Sequence, residues 1–280
     1  MNYFANKQAL SDRAVFITKN RAEEYADEIQ NSIHHTLLFK EDSILKSGVL
    51  SRAGIQPSKP EMSVVQADSV STIFKYTTDN ERVAVLNFAS YKHPGGMFMT
   101  GSSAQEESLC HASVLYNVLS SDELAYYYIE NNKTKNRGLY TDRALYSESV
   151  VFFDNTANAD KIGEMRLIDV ITCAAPNASC FLKYNTSDGA KALNDHMLAS
   201  RILFLHDICE YAAIVFNLET VVLGAWGCGV FGQDPKLVAN LMVETFQSTR
   251  LNRVIFGIPD DRTYETFRLT VMRSSISDLK

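Results

Sequence analysis

Three consecutive polar residues at the start of a helical pattern could carry acid-base chemistry. Gln105, Glu106 and Glu107 follow a glycine-containing loop. A carboxyl group can donate a proton to a departing oxygen and then, as a carboxylate, activate water. Because successive helical residues point about 100° apart, we expect that the two carboxylates do not both face one scissile bond. One carboxyl group should transfer the proton, and the other should position the substrate.

The loop before these residues could bind an anion. It contains Gly95, Gly96 and Gly101 and follows an apolar run at residues 82–88, which predicts a buried strand. Ligands of open α/β sheets bind beyond the carboxyl ends of strands. Glycines allow close approach to the main chain, and backbone N–H groups before a helix can hold phosphate without net positive charge.

The acidic pair also has a purely structural interpretation. Ser103 and Glu106 have the spacing of a capping box, and the helix dipole favours acidic residues in a first turn. The residue types alone leave capping and catalysis open.

A second loop of the same kind, residues 224–235, follows another apolar run. Asp234 and Pro235 predict the N-cap and first residue of a helix. Glycines 224, 227 and 229 could bring the backbone near an anion, and Phe231 could present its ring to a sugar. A tight turn with Phe231 in the core is the alternative. Two such loops favour a diphosphate-binding clamp.

Two further residues of this second loop have simpler interpretations. Cys228 could be a nucleophile, but a buried inert thiol is commoner. Trp226 is predicted to pack in the core rather than to stack on a base.

Alternating strand and helix patterns must position these loops. Strands are predicted at residues 63–67, 82–88, 149–153, 167–174, 220–225 and 253–258. Helices are predicted at residues 20–40, 105–120, 122–131, 189–211, 235–248 and 263–272. The continuous apolar strands indicate a parallel or mixed sheet with both faces covered, hence a three-layer α/β/α fold. We expect residues 1–60 to form a helical extension packed on a main domain of residues 61–280.

Composition narrows the class of protein. The chain has 280 residues, 46% hydrophobic and 21% charged, with a net charge of −6. This balance indicates a folded globular protein and argues against nucleic-acid binding through a basic surface. Five cysteines without a Cys-x-x-Cys pair, no signal peptide and no membrane-spanning run predict a cytoplasmic protein. The six histidines show no metal-ligand spacing, so we expect no metal and no cofactor.

With both loops considered, the chain resembles the bacterial-type poly(ADP-ribose) glycohydrolases, a branch of the macrodomain fold. Their signature is a Gly-Gly-Gly loop followed after six to eight residues by Gln-Glu-Glu. Here Gly95-Gly96-Met97 precedes Gln105-Glu106-Glu107 by seven residues. Met97 departs from the signature, and its side chain could crowd the distal ribose or diphosphate or point away. Residues 85–116 and 221–235 carry most of the resemblance.

The resemblance implies hydrolysis of ribose-ribose O-glycosidic bonds, with ADP-ribose or poly(ADP-ribose) on modified proteins as the partner. It makes Glu107 the general acid and Glu106 a ligand of the substrate ribose. It places Phe231 against the distal ribose. The other implied substrate-binding residues are Gly95, Gly96, Met97, Gln105, Gly227, Cys228, Gly229 and Val230.

Three alternatives stay open from the sequence. The same fold could bind ADP-ribose without cleaving it, or remove mono-ADP-ribose from a protein or nucleic acid. The glycines could also serve only turns in a structural domain.

Overall fold

A computed structural model of the chain describes residues 3–41, 43–52, 54, 56–153 and 165–277. The strands are β1 (Leu37–Lys40), β2 (Glu61–Val65), β3 (Val83–Phe88), β4 (Arg143–Phe153), β5 (Met165–Cys173), β6 (Thr220–Leu223) and β7 (Arg253–Gly257). They form a seven-stranded sheet in the order β1-β4-β5-β3-β6-β7-β2. With helices on both sides of the sheet, this confirms the predicted α/β/α class.

Parallel pairing joins strands β3, β6 and β7 of the sheet. β3 pairs in parallel with β6, with Val83 opposite Thr220, and β6 pairs in parallel with β7. β3 and β6 are buried almost throughout, as their continuous apolar runs predict. β3 and β6 run in the same direction, and each is followed by a glycine-containing loop. We call residues 93–104 loop A and residues 224–234 loop B.

The helices occupy most of the remaining described chain. They are α1 (Tyr3–Phe16), α2 (Ala22–Glu24), α3 (Ala26–His34), α4 (Ser43–Ser47), α5 (Val49–Arg52), α6 (Ser69–Tyr76), α7 (Gln105–His111), α8 (Leu115–Leu119), α9 (Ala125–Lys133), α10 (Ala178–Phe181), α11 (Asp188–Val215), α12 (Pro235–Phe246) and α13 (Asp261–Ser277). A π-helical stretch, Ile17–Arg21, continues α1, and short 3-10 helices occur at Phe98–Thr100, Asp122–Leu124 and Leu182–Tyr184.

The chain divides into two compact units. The first comprises Met1–Leu38, Asn87–Thr134 and Leu145–Cys173. In this unit α1 contacts the 3-10 helix of loop A and α7, and α3 contacts α8. The catalytic candidates Glu106 and Glu107 belong to this unit.

The second unit comprises Phe39–Leu86, Lys135–Ala144 and Ala174–Lys280. Its parallel strands β2, β6 and β7 adjoin one another, α13 packs on β2 and on α12, and α12 packs on α11. Loop B belongs to this unit.

Two predicted helices differ from the observed ones. Residues 20–40 are not one helix, because the chain leaves α3 at His34 and forms β1 at Leu37–Lys40. Residues 105–120 form α7 and α8 with a break between them. There Val114 N–H donates to the Val151 carbonyl and Phe153 N–H donates to the Ala112 carbonyl, so pairing with β4 replaces helical hydrogen bonds. Neither strand pairing is visible in local periodicity.

Candidate active site

Loop A turns sharply at two glycines whose backbone conformation disfavours other residues. Gly95 and Gly96 have φ angles of +63° and +57°, in the left-handed region. The Gly96 N–H donates to the His93 carbonyl at 3.1 Å. A Cβ atom on Gly95 would lie 2.6 Å from the Tyr116 ring. Both the backbone conformation and the close neighbours therefore require glycine.

Glu106 is buried among hydrogen-bond donors. Its Oε2 accepts from the Ser90 N–H at 2.7 Å, and its Oε1 accepts from Asn87 Nδ2 at 3.2 Å. Burial raises the pKa of Glu106 from 4.5 to about 8, and the charge of Glu107 acts in the same direction. The bonds from Ser90 and Asn87 oppose this rise without cancelling it. The raised pKa favours the protonated form of Glu106.

Glu107 is also buried, and loop A holds its carboxylate. Its Oε1 accepts from the Met97 N–H at 2.9 Å. A main-chain donor fixes this carboxylate whatever side chain stands at position 97.

The two carboxylates converge on one glycine. A Cβ atom on Gly96 would lie 2.6 Å from Glu107 Oε1 and 3.0 Å from Glu106 Oε2. That only one of them faces a scissile bond stays a prediction. The 100° separation applies to the Cα–Cβ bonds, whereas the three side-chain torsions of glutamate let both carboxylates reach the same point.

The capping-box interpretation was wrong. The N-cap of α7 is Ala104, and no side chain caps this end. The Glu106 carboxylate reaches Asn87 and Ser90 instead of the start of its own helix. Gln105 accepts a hydrogen bond from the Phe88 N–H at 2.8 Å, so it ties α7 to the end of β3.

Met97 occupies a position that does not need glycine. Its φ of −107° is accessible to any residue, and its side chain is 61% exposed. The departure from the Gly-Gly-Gly signature therefore adds no backbone strain.

Sequence reasoning missed the residues that surround Glu106. Asn87 is fully buried within the apolar strand β3, and a polar residue in such a strand was the available signal. Asn131 of α9 is fully buried too and donates to the Tyr91 carbonyl at 2.9 Å, which steadies the chain before loop A. No local sequence pattern predicted this contact.

Loop B is built on a buried amide pair. Gln233 Nε2 donates to the Pro176 carbonyl at 2.7 Å, and Gln233 and Asn194 exchange hydrogen bonds at 3.0 and 3.1 Å. Gly227 has a φ of +78°, and a Cβ there would lie 2.9 Å from Gln233 Cγ. Gly232, which the sequence analysis did not single out, has a φ of +69° and would clash with Ser179.

The tip of loop B is open. A Cβ on Gly229 would meet nothing within 4 Å, and the Val230 side chain is 82% exposed. Phe231 is partly buried, with its ring 6.1 Å from that of Tyr140. The alternative in which Phe231 is packed in the core is therefore wrong.

Two structural predictions for loop B, the start of α12 and the burial of Trp226, are confirmed. Asp234 is the N-cap of α12 and accepts from the Lys236 N–H at 3.0 Å, with Pro235 at the first helical position. Trp226 is fully buried. Burial, with a smaller contribution from Asp234, raises the pKa of the Cys228 thiol to about 12, which disfavours a nucleophile there.

Within the described residues, no group of His, Cys, Asp and Glu side chains could hold a metal ion. Among the same residues, no helix is both long and apolar enough to cross a membrane. The five cysteines are all free thiols.

The comparisons with known proteins agree on one family. A protein-family model matches residues 6–155. It is described as the catalytic domain of microbial-type PARG, where PARG stands for poly(ADP-ribose) glycohydrolase. This range is more than half of the chain and includes loop A and both glutamates. No curated protein sequence matches the chain significantly.

Solved structures of similar fold carry the same description. Poly(ADP-ribose) glycohydrolase from Deinococcus radiodurans in complex with ADP-ribose superposes with a TM-score of 0.74 at 28% identity, over 88% of this chain and 98% of that chain. The enzyme from Thermomonospora curvata gives a TM-score of 0.76 at 24% identity, over 94% and 98% of the two chains. Its complex with the inhibitor ADP-HPD gives 0.73 at 24% identity, over 96% and 98%.

Proposed function

The chain belongs to the microbial-type poly(ADP-ribose) glycohydrolases, and we propose that Glu107 is the general acid with which it cleaves ribose-ribose bonds. It is a glycoside hydrolase that acts on ADP-ribose polymers. The observation that carries the assignment is the convergence of two buried carboxylates on Gly96, with Glu107 held by the Met97 N–H.

In the proposed reaction, the protonated Glu107 carboxyl donates its proton to the oxygen that bridges the two riboses. The bond from that oxygen to the anomeric carbon breaks, and positive charge grows on the sugar, where the substrate diphosphate stabilises it. The Glu107 carboxylate then takes a proton from water as the water oxygen bonds to the anomeric carbon. The first step regenerates a hydroxyl on one ribose and the second restores the acid.

The two carboxyls have different parts in this proposal. Glu106, whose pKa burial raises to about 8, is proposed to bind a hydroxyl of the substrate ribose. Glu107, at the third position of α7, is proposed to give its proton to the bridging oxygen in the substrate complex.

Loop B has its own proposed role. Gly227, Cys228 and Gly229 present backbone to the diphosphate, Val230 borders it, and Phe231 packs against the distal ribose. The open space around Gly229 and the incomplete burial of Phe231 support this. A Phe231→Ala variant should bind ADP-ribose about tenfold more weakly, because it loses one aromatic contact. Unchanged affinity in calorimetry would contradict the role of the ring.

The substrate is proposed to be ADP-ribose or poly(ADP-ribose) on modified proteins in the cytoplasm. Free cysteines suit a reducing compartment, and a net charge of −6 gives no electrostatic attraction to nucleic acid.

The test of the proposed acid is a Glu107→Gln variant. Glutamine keeps the size and the acceptor for Met97 but cannot give up a proton. Release of ADP-ribose from poly(ADP-ribose) should fall by about 10³-fold while the Kd for ADP-ribose stays within about threefold. Glu123→Gln, at an exposed position, is the matched control and should keep full activity. Wild-type turnover by Glu107→Gln would eliminate the proposal.

A further inference from the structure

Helix α1 contacts both segments that hold Glu107. The Ser11 hydroxyl donates to the Met99 carbonyl at 3.0 Å, and Arg13 Nε donates to the His111 carbonyl at 2.8 Å. Met99 lies two residues after Met97, and His111 lies one helical turn after Glu107. One helix therefore spans the two sides of the Met97–Glu107 hydrogen bond.

The backbone of α1 also lies directly against loop A. Gly101 ends the 3-10 helix of loop A with a φ of +76°, and a Cβ on it would lie 2.1 Å from the Lys7 carbonyl oxygen. No side chain fits between the two segments. The backbone of loop A is thus packed against α1 at Gly101, two residues after Met99, to which Ser11 donates.

The buried side chain of His111 also connects α7 to loop A. Its Nε2 donates to the Ser102 carbonyl at 3.1 Å, and its ring lies 4.7 Å from that of Phe98, which is fully buried. Arg13 binds the main chain of this same histidine, at the carboxyl end of α7, where a cation is favoured by the helix dipole. A shift of Arg13 would therefore be transmitted to α7 and to loop A together.

We propose that Ser11 and Arg13 are positioning residues for the hydrolysis. They fix the separation between loop A and α7 and thereby keep the Glu107 carboxylate on the Met97 N–H. The family match begins at residue 6, so both residues lie within the matched domain. This inference rests on the proposed role of Glu107, and it extends the machinery to a helix about 90 residues earlier in the sequence.

The experiment uses the full chain with a Ser11→Ala/Arg13→Met double variant. We expect kcat on poly(ADP-ribose) to fall about tenfold, while KM and the Kd for ADP-ribose stay within about threefold. The reason is that the Glu107 carboxylate loses its alignment, whereas the substrate keeps its contacts. Ser11→Thr/Arg13→Lys keeps a hydroxyl and a cation and should recover most of the rate. Gln8→Ala removes only an exposed bond to Asp12 on the same helix and should match the wild type.

Three outcomes would overturn the inference: an unchanged kcat in the double variant, a rate loss that vanishes after correction for the folded fraction, or an equal loss in Gln8→Ala. Glu107→Gln, assayed alongside, separates the two proposals. If Glu107→Gln is inactive and the double variant is fully active, only the positioning role fails. If Glu107→Gln is fully active, the proposed acid fails, and the positioning role fails with it.

Discussion

Replacing Gly96 by alanine tests the arrangement of the carboxylate pair most directly. The added Cβ would lie 2.6 Å from Glu107 Oε1, whereas ordinary van der Waals contact begins at 3.4 Å. The Glu107 oxygen or the loop must therefore move by the difference, 0.8 Å. The same Cβ lies 3.0 Å from Glu106 Oε2, so the second carboxylate limits the directions in which the first can retreat.

The expected loss is mainly catalytic. A misplacement of about 1 Å in a catalytic group can cost about 100-fold in rate, so we expect kcat of Gly96→Ala to fall by about that factor. The left-handed conformation, with φ of +57°, adds a folding cost of about 1–2 kcal/mol for alanine. Because domains are typically stable by about 5–15 kcal/mol, a loss of this size leaves the variant folded, so the rate change reports the site.

The assay is single-turnover release of ADP-ribose from poly(ADP-ribose), with thermal unfolding measured on the same samples. Gly189→Ala is the matched control, because its Cβ meets nothing within 4 Å and it lies at the second position of α11. It should keep the wild-type rate and gain up to about 1 kcal/mol of stability. A Gly96→Ala variant that cleaves within threefold of wild type would refute the claim that Gly96 sets the position of Glu107.

Two further predictions concern titration. The pKa of Glu106 is raised from 4.5 to about 8, so at this site the folded state binds more protons than the unfolded state in this window. The contribution of Glu106 to stability is therefore fully present below pH 4.5 and is lost as pH rises through 8. The unfolding free energy of wild type minus that of Glu106→Gln, from denaturant titrations, should decrease over this range by on the order of 5 kcal/mol, and a pH-independent difference would contradict the raised pKa. For the thiols, Cys228 with a pKa of about 12 should alkylate far more slowly at pH 7 than the exposed Cys180, as followed by mass spectrometry. Faster modification of Cys228 would show an activated thiol.

The carboxylate pair also shows how far burial and hydrogen bonding compete. Glu106 accepts bonds from Ser90 and Asn87, which favour its charged form, yet burial outweighs them. Because the charge of Glu107 contributes to the same shift, removal of the Glu107 carboxyl should lower the pKa of Glu106.

Local residue patterns determined most of the secondary structure and the identity of the candidate site. Continuous apolar runs predicted β3 and β6 because strands buried on both faces need no polar alternation. Asp234 and Pro235 predicted the start of α12, since capping and a fixed φ depend on neighbours in sequence. The spacing of the loop A glycines from Glu106 and Glu107 was sufficient to indicate a family that the comparisons bear out.

The tertiary structure decided what depends on residues far apart in the chain. The convergence of Glu106 and Glu107 on Gly96 needed the actual side-chain torsions, and the pKa of Glu106 needed its burial. The contact of Lys7 with Gly101 joins segments that share no periodicity. Short-range pattern is fixed by adjacent residues, whereas close approach and desolvation depend on which distant segments fold against each other. The family could therefore be indicated from the sequence, but the geometry of the candidate site could not.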